Sequence, residues 1–106
     1  MTLEKPVVMV VTAAITDAQA YGRYMTALVA SGLFDRFGAT PISTGAASET
    51  LEGDYAAGEI TALIEFPSAS AAHGFWESSE YRAIAELRVQ AGAFRVGLWR
   101  KFRKPS

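Results

Sequence analysis

From residue 59 to residue 66 the chain alternates. Ile60, Ala62, Ile64 and Phe66 fall on one side, and Thr61, Leu63 and Glu65 on the other, the period-two pattern of a β-strand. Pro67 stops the strand, because proline has no N–H to give to a ladder. Ser68 is placed to cap a helix over residues 69–77, since its hydroxyl can accept a free N–H of the first turn. Ser78 or Ser79 then starts a second helical segment that runs to about residues 91–92. In it Tyr81, Ile84, Arg88 and Ala91 share a stripe, supported by Ala85 and Leu87.

The rest of the chain yields four further elements. Residues 6–14 are valine-rich and uncharged, without the alternation of a strand that has one wet face, and suit a strand buried on both sides. Thr16-Asp17 offers an N-cap. Residues 18–33 carry Tyr21, Met25, Leu28 and Gly32 at helical spacing, widened by Tyr24 and Val29, and predict a helix of about four turns that Gly32 and Gly38 punctuate. Residues 39–44 form a short strand whose Pro41 puts it at a sheet edge or on a bulge. Residues 45–58 are small, polar and acidic, and predict a long connection of the kind that is often functional or mobile. Residues 93–102 form the last strand, with Phe94, Val96, Leu98 and Arg100 alternating against Arg95, Gly97, Trp99 and Lys101.

The order strand, helix, strand, strand, helix, strand predicts an α+β, ferredoxin-like βαββαβ fold with a four-stranded antiparallel sheet and both helices on one face. The other face then stays open although the first and third strands are apolar on both sides. A second copy packed sheet to sheet is the economical cover, so a homodimer is expected.

Composition narrows the chemistry. A chain of 106 residues, 50% hydrophobic and 20% charged, is read as one domain spanning residues 1–106. Without cysteine there are no disulfides, thiolate nucleophiles, iron–sulfur clusters or cysteine zinc sites. With His73 as its one histidine, no metal site and no cofactor are expected. The N-terminal residues lack a basic signal region, and the apolar run over residues 7–15 is too short to span a bilayer. A cytoplasmic protein without a membrane partner is expected. Most basic residues follow Tyr81, ending in a tail at about residues 100–106. With no basic face elsewhere, that tail reads as a solvated end and no nucleic-acid partner is expected.

Arg88 is the informative polar residue, because it occupies an inward stripe where an aliphatic side chain is the simple choice and a charge needs a partner. One reading pairs it with Glu65, with Tyr81 adding a hydrogen bond. The other leaves its fork to hold the carboxylate or enolate of a small ligand. Glu65 is also a candidate general base, and His73 is the side chain whose unperturbed proton affinity lies near neutrality. Trp76, Phe75, Tyr21 and Tyr24 are core aromatics able to wall an apolar pocket. Glu52, in the acidic loop, is a further candidate carboxylate.

Asp17 with Tyr21 and Tyr24, Leu51-Glu52-Gly53-Asp54, Ile64-Glu65-Phe66-Pro67-Ser68, Ala72 with Trp76, Ser78-Ser79-Glu80-Tyr81 and Leu87-Arg88 together resemble the family called domain of unknown function 1330. The resemblance extends over nearly the whole chain. It departs at Gly38-Ala39, where a Gly-Gly pair is usual, and near Thr44-Gly45, where a basic residue is often found. It implies the dimeric α/β-barrel superfamily, which includes cofactor-free monooxygenases, lactone isomerases, haem-degrading enzymes, dye-type peroxidases and ligand-sensing modules. Two functions are therefore expected as alternatives. One is a cofactor-independent enzyme acting on a small anionic or aromatic metabolite, with His73 and Glu65 as catalytic candidates and Arg88, Tyr81, Tyr24, Trp76 and Glu52 as ligand-binding candidates. The other is a non-catalytic dimeric ligand-binding or accessory module.

Overall fold

The computed structural model describes residues 5–103 and 105. The reading of residues 1–4, and of Lys104 and Ser106 in the basic tail, lies outside the described residues. The elements are β1 (Val7–Ile15), α1 (Ala18–Ala30), α2 (Leu33–Arg36), β2 (Thr40–Gly45), β3 (Glu59–Phe66), α3 (Ala69–Glu77), α4 (Ser79–Ala85), a 3-10 turn (Glu86–Arg88) and β4 (Gly92–Arg100). The strands form one antiparallel sheet in the order β2-β3-β1-β4, the ferredoxin-like arrangement that the element order predicts.

The helices lie on one face of this sheet. Val7 and Met9 of β1 and Ile64 and Phe66 of β3 meet Tyr24 and Leu28 of α1, Ala72 and Phe75 of α3, and Tyr81 of α4 in a single core. Phe66 and Phe75 are fully enclosed, and Phe75 lies 5.4 Å from Phe66, 5.8 Å from Phe34 and 4.6 Å from Tyr81 between ring centres. The shortest dimension of the molecule is 18 Å, enough for a sheet and one helical layer only. The opposite face of the sheet, with Val8, Val10 and Leu63, is therefore half-buried instead of enclosed on both sides.

The caps act as the sequence predicts. The Asp17 carboxylate accepts the Ala20 N–H at 3.0 Å and the Ser68 hydroxyl accepts the Ala71 N–H at 3.0 Å. Ser78, in extended backbone, ends α3 and starts α4: its hydroxyl donates to the Phe75 carbonyl at 2.9 Å and accepts the Tyr81 N–H at 3.1 Å. β2 is an edge strand with an irregularity between Pro41 and Ser43, as proline requires.

Two expectations about helices are corrected. The four-turn helix over residues 18–33 stops at Ala30, because the Ser31 hydroxyl donates to the Leu28 carbonyl at 2.6 Å and accepts the Leu33 N–H at 3.1 Å, while Gly32 takes a left-handed φ of 74°. Val29, off the buried stripe of Ala20, Tyr24 and Leu28, faces solvent. The second helical unit does not run unbroken to residues 91–92, since α4 tightens after Ala85 into the 3-10 turn. With fewer residues per turn, Leu87 swings out to an exposed position while Arg88 stays half-buried.

Candidate functional site

Three segments remote in sequence converge on the helix side of the sheet. α1 presents Tyr24 from its buried stripe and α4 presents Tyr81 from a first turn that Ser78 holds. Their hydroxyls meet at 2.9 Å inside the protein. The turn after α4 brings Arg88. Its position is fixed by Ala91, whose N–H donates to the Arg88 carbonyl at 3.0 Å and whose carbonyl accepts the N–H groups of Thr16 and Asp17 at 2.8 and 3.1 Å. Gly92 makes this approach possible, because a Cβ there would sit 2.0 Å from the Ala14 carbonyl oxygen.

The Arg88 guanidinium lies over two aromatic rings, 4.9 Å from the centre of Phe94 and 5.7 Å from that of Trp76. Cation–π attraction of this kind is worth about 0.5–2 kcal/mol, the larger figure where water is excluded. Its Nε is buried and has no hydrogen-bond partner among the described residues. Among the described residues the ion pairs are Arg36 with Glu80 and Lys101 with Glu65, so no carboxylate neutralises Arg88. A buried donor without a partner costs about 1–3 kcal/mol, and in a native fold it marks a place where a ligand or water is expected. The electrostatics of Tyr24 agree with a site full of donors. Burial, with the neighbouring Tyr81 hydroxyl, pushes the Tyr24 phenol far above its ordinary range, while Arg88 pulls the other way. Tyr24 therefore keeps its proton.

The expected pairing of Glu65 with Arg88 does not form. Ile64 and Phe66 point into the core, so Glu65 between them points to the open face of the sheet. There its carboxylate meets Lys101 at 3.3 Å. The sheet itself separates the two residues.

Of the other residues singled out in the sequence, Trp76 joins the cluster, with its ring 5.4 Å from that of Tyr81. His73 faces solvent from α3, between the buried Ala72 and the half-buried Gly74, and Glu52 is exposed in the loop over residues 46–58. The structure brings together Tyr24, Trp76, Tyr81 and Arg88, and leaves Glu52, Glu65 and His73 outside. Phe94 is the residue that sequence reasoning missed. Its place on the inward side of the last strand was the available signal, and it packs 6.4 Å from Tyr24 and 6.3 Å from Tyr21. Among the described residues no three of His, Cys, Asp and Glu gather in a way that could hold a metal. A shallow open depression of about 600 Å³, lined by Gln19, Gly22, Arg23, Thr26, Ala27 and Ala30, lies on the side of α1 away from Tyr24 and carries no comparable chemistry.

The sequence profile of the family described as domain of unknown function (DUF1330) matches residues 6–101. No curated protein gives a significant match. Among solved structures, a protein of unknown function from Rhodopseudomonas palustris superposes with a TM-score of 0.72 at 21% identity, covering 95% of this chain and 85% of that one. A protein from Caulobacter crescentus, proposed to be an antibiotic biosynthesis monooxygenase, gives 0.67 at 11% identity, with 95% and 93% covered. SnoaB, a cofactor-independent oxygenase from Streptomyces nogalater, gives 0.64 at 10% identity, with 94% and 96% covered. At such identities the likeness is one of fold. No helix among the described residues is long and apolar enough to cross a membrane.

Proposed function

This chain belongs to the family described as domain of unknown function (DUF1330), and from that premise we propose that it binds a small anionic or aromatic metabolite at Arg88. One observation carries the reading: a guanidinium set against Trp76 and Phe94, with a buried Nε that no group among the described residues satisfies. Structural arginines inside proteins are paired. One that is held in place by aromatic rings, beside a pair of tyrosine hydroxyls, is pre-organised for an oxyanion.

Turnover of that ligand without a cofactor is the second reading. The likeness of fold to a cofactor-independent oxygenase favours it, and an apolar, aromatic site in which an anion is stabilised by fixed donors suits such chemistry. The open face of the sheet supports a homodimer. Trp99 lies flat over Gly97, where a Cβ would meet the ring at 2.7 Å, and stays 58% exposed. With Val8, Val10 and Leu63 it makes an apolar surface that a second copy would cover.

The test is thermal unfolding of the parent and of Arg88→Met, with and without a panel of small carboxylates. The parent is expected to gain about 2.7 kcal/mol at a ligand concentration a hundredfold above Kd, a gain that Arg88→Met loses. Without ligand, Arg88→Met is expected to be as stable as the parent or more so, because an unneutralised cation gives way to an apolar chain of similar length. A large loss of stability in the variant, with no ligand effect in the parent, would make Arg88 a structural residue and end the proposal.

A further inference from the structure

We infer that the Arg88 site takes its ligand as an oxyanion that is already formed, a planar aromatic carboxylate or an ionised phenol, and does not itself remove the proton. This deepens, and rests on, the binding role proposed above. Donors outnumber acceptors around Arg88. A guanidinium carries five N–H donors and no acceptor; the Nε donor of Arg88 is buried without a partner, and no carboxylate among the described residues forms an ion pair with the group. Two directions of approach to it are closed by the rings of Trp76 and Phe94. What remains is approach edge-on, in the guanidinium plane, through the half-exposed end of the side chain beyond the buried Nε, the geometry that matches the two oxygens of a carboxylate or the single oxygen of a phenolate.

The tyrosines add to the same side of the balance. In the Tyr24–Tyr81 pair one hydroxyl must donate to the other, which leaves one O–H proton of the two to give to a ligand. Elements around the cluster bring no opposing charge into contact with it. α1 contributes Tyr21 and Tyr24, α3 contributes Trp76, and β4 contributes Phe94. α4 contributes Tyr81 and also Arg82, whose guanidinium lies 5.2 Å over the Trp76 ring. β2 contributes Thr44, whose hydroxyl is 3.3 Å from that of Tyr21. Glu77 of α3 and Glu86 of the 3-10 turn are the neighbouring carboxylates; both are exposed, and neither forms an ion pair with Arg88.

A proton-removing group has to stand within about 3 Å of the proton or one water away. The side chains with that chemistry point elsewhere. Glu65 is behind the sheet, paired with Lys101, Asp17 accepts the Ala20 N–H as the cap of α1, and His73, Glu52, Glu77 and Glu86 are exposed. Tyr24, with its proton held by burial, is no base. A site built this way selects the ionised form from solution, so a ligand that is acidic at neutral pH binds and a neutral analogue of the same shape binds weakly.

4-Nitrophenol separates the possibilities, because it titrates near neutrality and only its ionised form absorbs in the visible. The full-length protein is titrated into it across a pH series, with circular dichroism checking that each variant is folded. Binding is expected to raise the visible absorbance at fixed pH and to lower the midpoint of ionisation by about one pH unit, the equivalent of a tenfold preference for the anion. Arg88→Met is expected to abolish that shift and Tyr81→Phe to reduce it, while Arg23→Met, which removes an exposed cation from the far side of α1, leaves it unchanged. Binding that leaves the midpoint unmoved or raises it would overturn the inference while keeping the binding role. Loss of the shift in Arg23→Met would assign it to general surface charge and overturn it too. No binding of 4-nitrophenol or benzoate by the parent at millimolar concentration would remove the binding role itself.

Discussion

The two faces of the sheet handle charge in opposite ways. On the helix-covered face Arg88 sits against Trp76 and Phe94 with a buried Nε and no ion-paired carboxylate among the described residues. On the open face Glu65 and Lys101 meet at 3.3 Å, and solvent still reaches both. The outer surface of the helical layer repeats the second arrangement, with Arg36 and Glu80 paired at 2.6 Å and each about half-exposed. These two pairs form although water already solvates their charges, whereas half-buried Arg88, with a buried Nε, has no such partner among the described residues. Pairing at the surface adds little to stability, whereas a buried donor of a charged group without a partner is costly. The costly arrangement is therefore the one that calls for a function, and it is where the tyrosine pair also lies.

The contrast between the faces is first a contrast in packing, and the largest effect tests that. Phe66→Ala on the covered face is expected to cost about 3–5 kcal/mol, because Phe66 is fully enclosed between the sheet and Phe75. Urea unfolding measures it. A loss under 1 kcal/mol would mean that the helices do not pack on the sheet as described.

The open face is tested by Val10→Asp. Val10 lies in the middle of the half-buried strand β1, between Leu63 and Gly97. An isolated protomer is expected to tolerate the aspartate there, with little change in folding. A second copy packed on that face has to bury an unpaired carboxylate, at about 3 kcal/mol or more, or roughly a hundredfold in the dissociation constant. Light scattering at micromolar concentration should then report the parent as a dimer and the variant as a monomer. A monomeric parent would leave the open face without its expected cover.

Next in size is the tyrosine pair. Tyr81→Phe keeps the ring contacts with Phe75 and Trp76 but leaves the buried Tyr24 hydroxyl without its partner. The expected loss is about 1–2 kcal/mol. Tyr24→Phe combined with Tyr81→Phe removes both hydroxyls and is expected to cost less than the sum of the single changes, since no orphan remains. Additive losses would show that the two hydroxyls are satisfied independently.

These effects also mark what was legible in the sequence. β3 and α3 are found where alternation, Pro67 and Ser68 place them, because each boundary is set by a local rule. The same alternation held the answer for Glu65. It put Glu65 opposite Ile64 and Phe66, and with both helices on one face of the sheet a residue opposite the core cannot reach Arg88. The expected Glu65–Arg88 pair followed closeness in sequence instead of strand parity. The Tyr24–Tyr81 bond and the packing of Phe94 on Tyr24 were not legible, since they join segments tens of residues apart whose relative placement the sequence pattern does not fix. Arg88 was legible as an anomaly on an apolar stripe, but not as an unpaired one.

The smallest effect belongs to the exposed pair, and its sign is fixed by linkage. The hydrogen bond from Arg36, then those from its own backbone and from the Ser79 hydroxyl, hold the Glu80 carboxyl at about 2 against an ordinary 4.5. A carboxyl whose folded value is depressed binds its proton more readily in the unfolded chain. Its contribution is therefore fully present above pH 4.5 and is lost as pH falls toward 2. Glu80→Gln should accordingly differ most from the parent near neutrality and converge with it in acid, by an amount that solvent and salt keep small. The measurement is the urea midpoint of both proteins from pH 7 to pH 2 at low and high salt. A difference that grows as pH falls would contradict the depressed carboxyl. A large difference that survives high salt would place Glu80 among the enclosed charges, and so erase the contrast with Arg88.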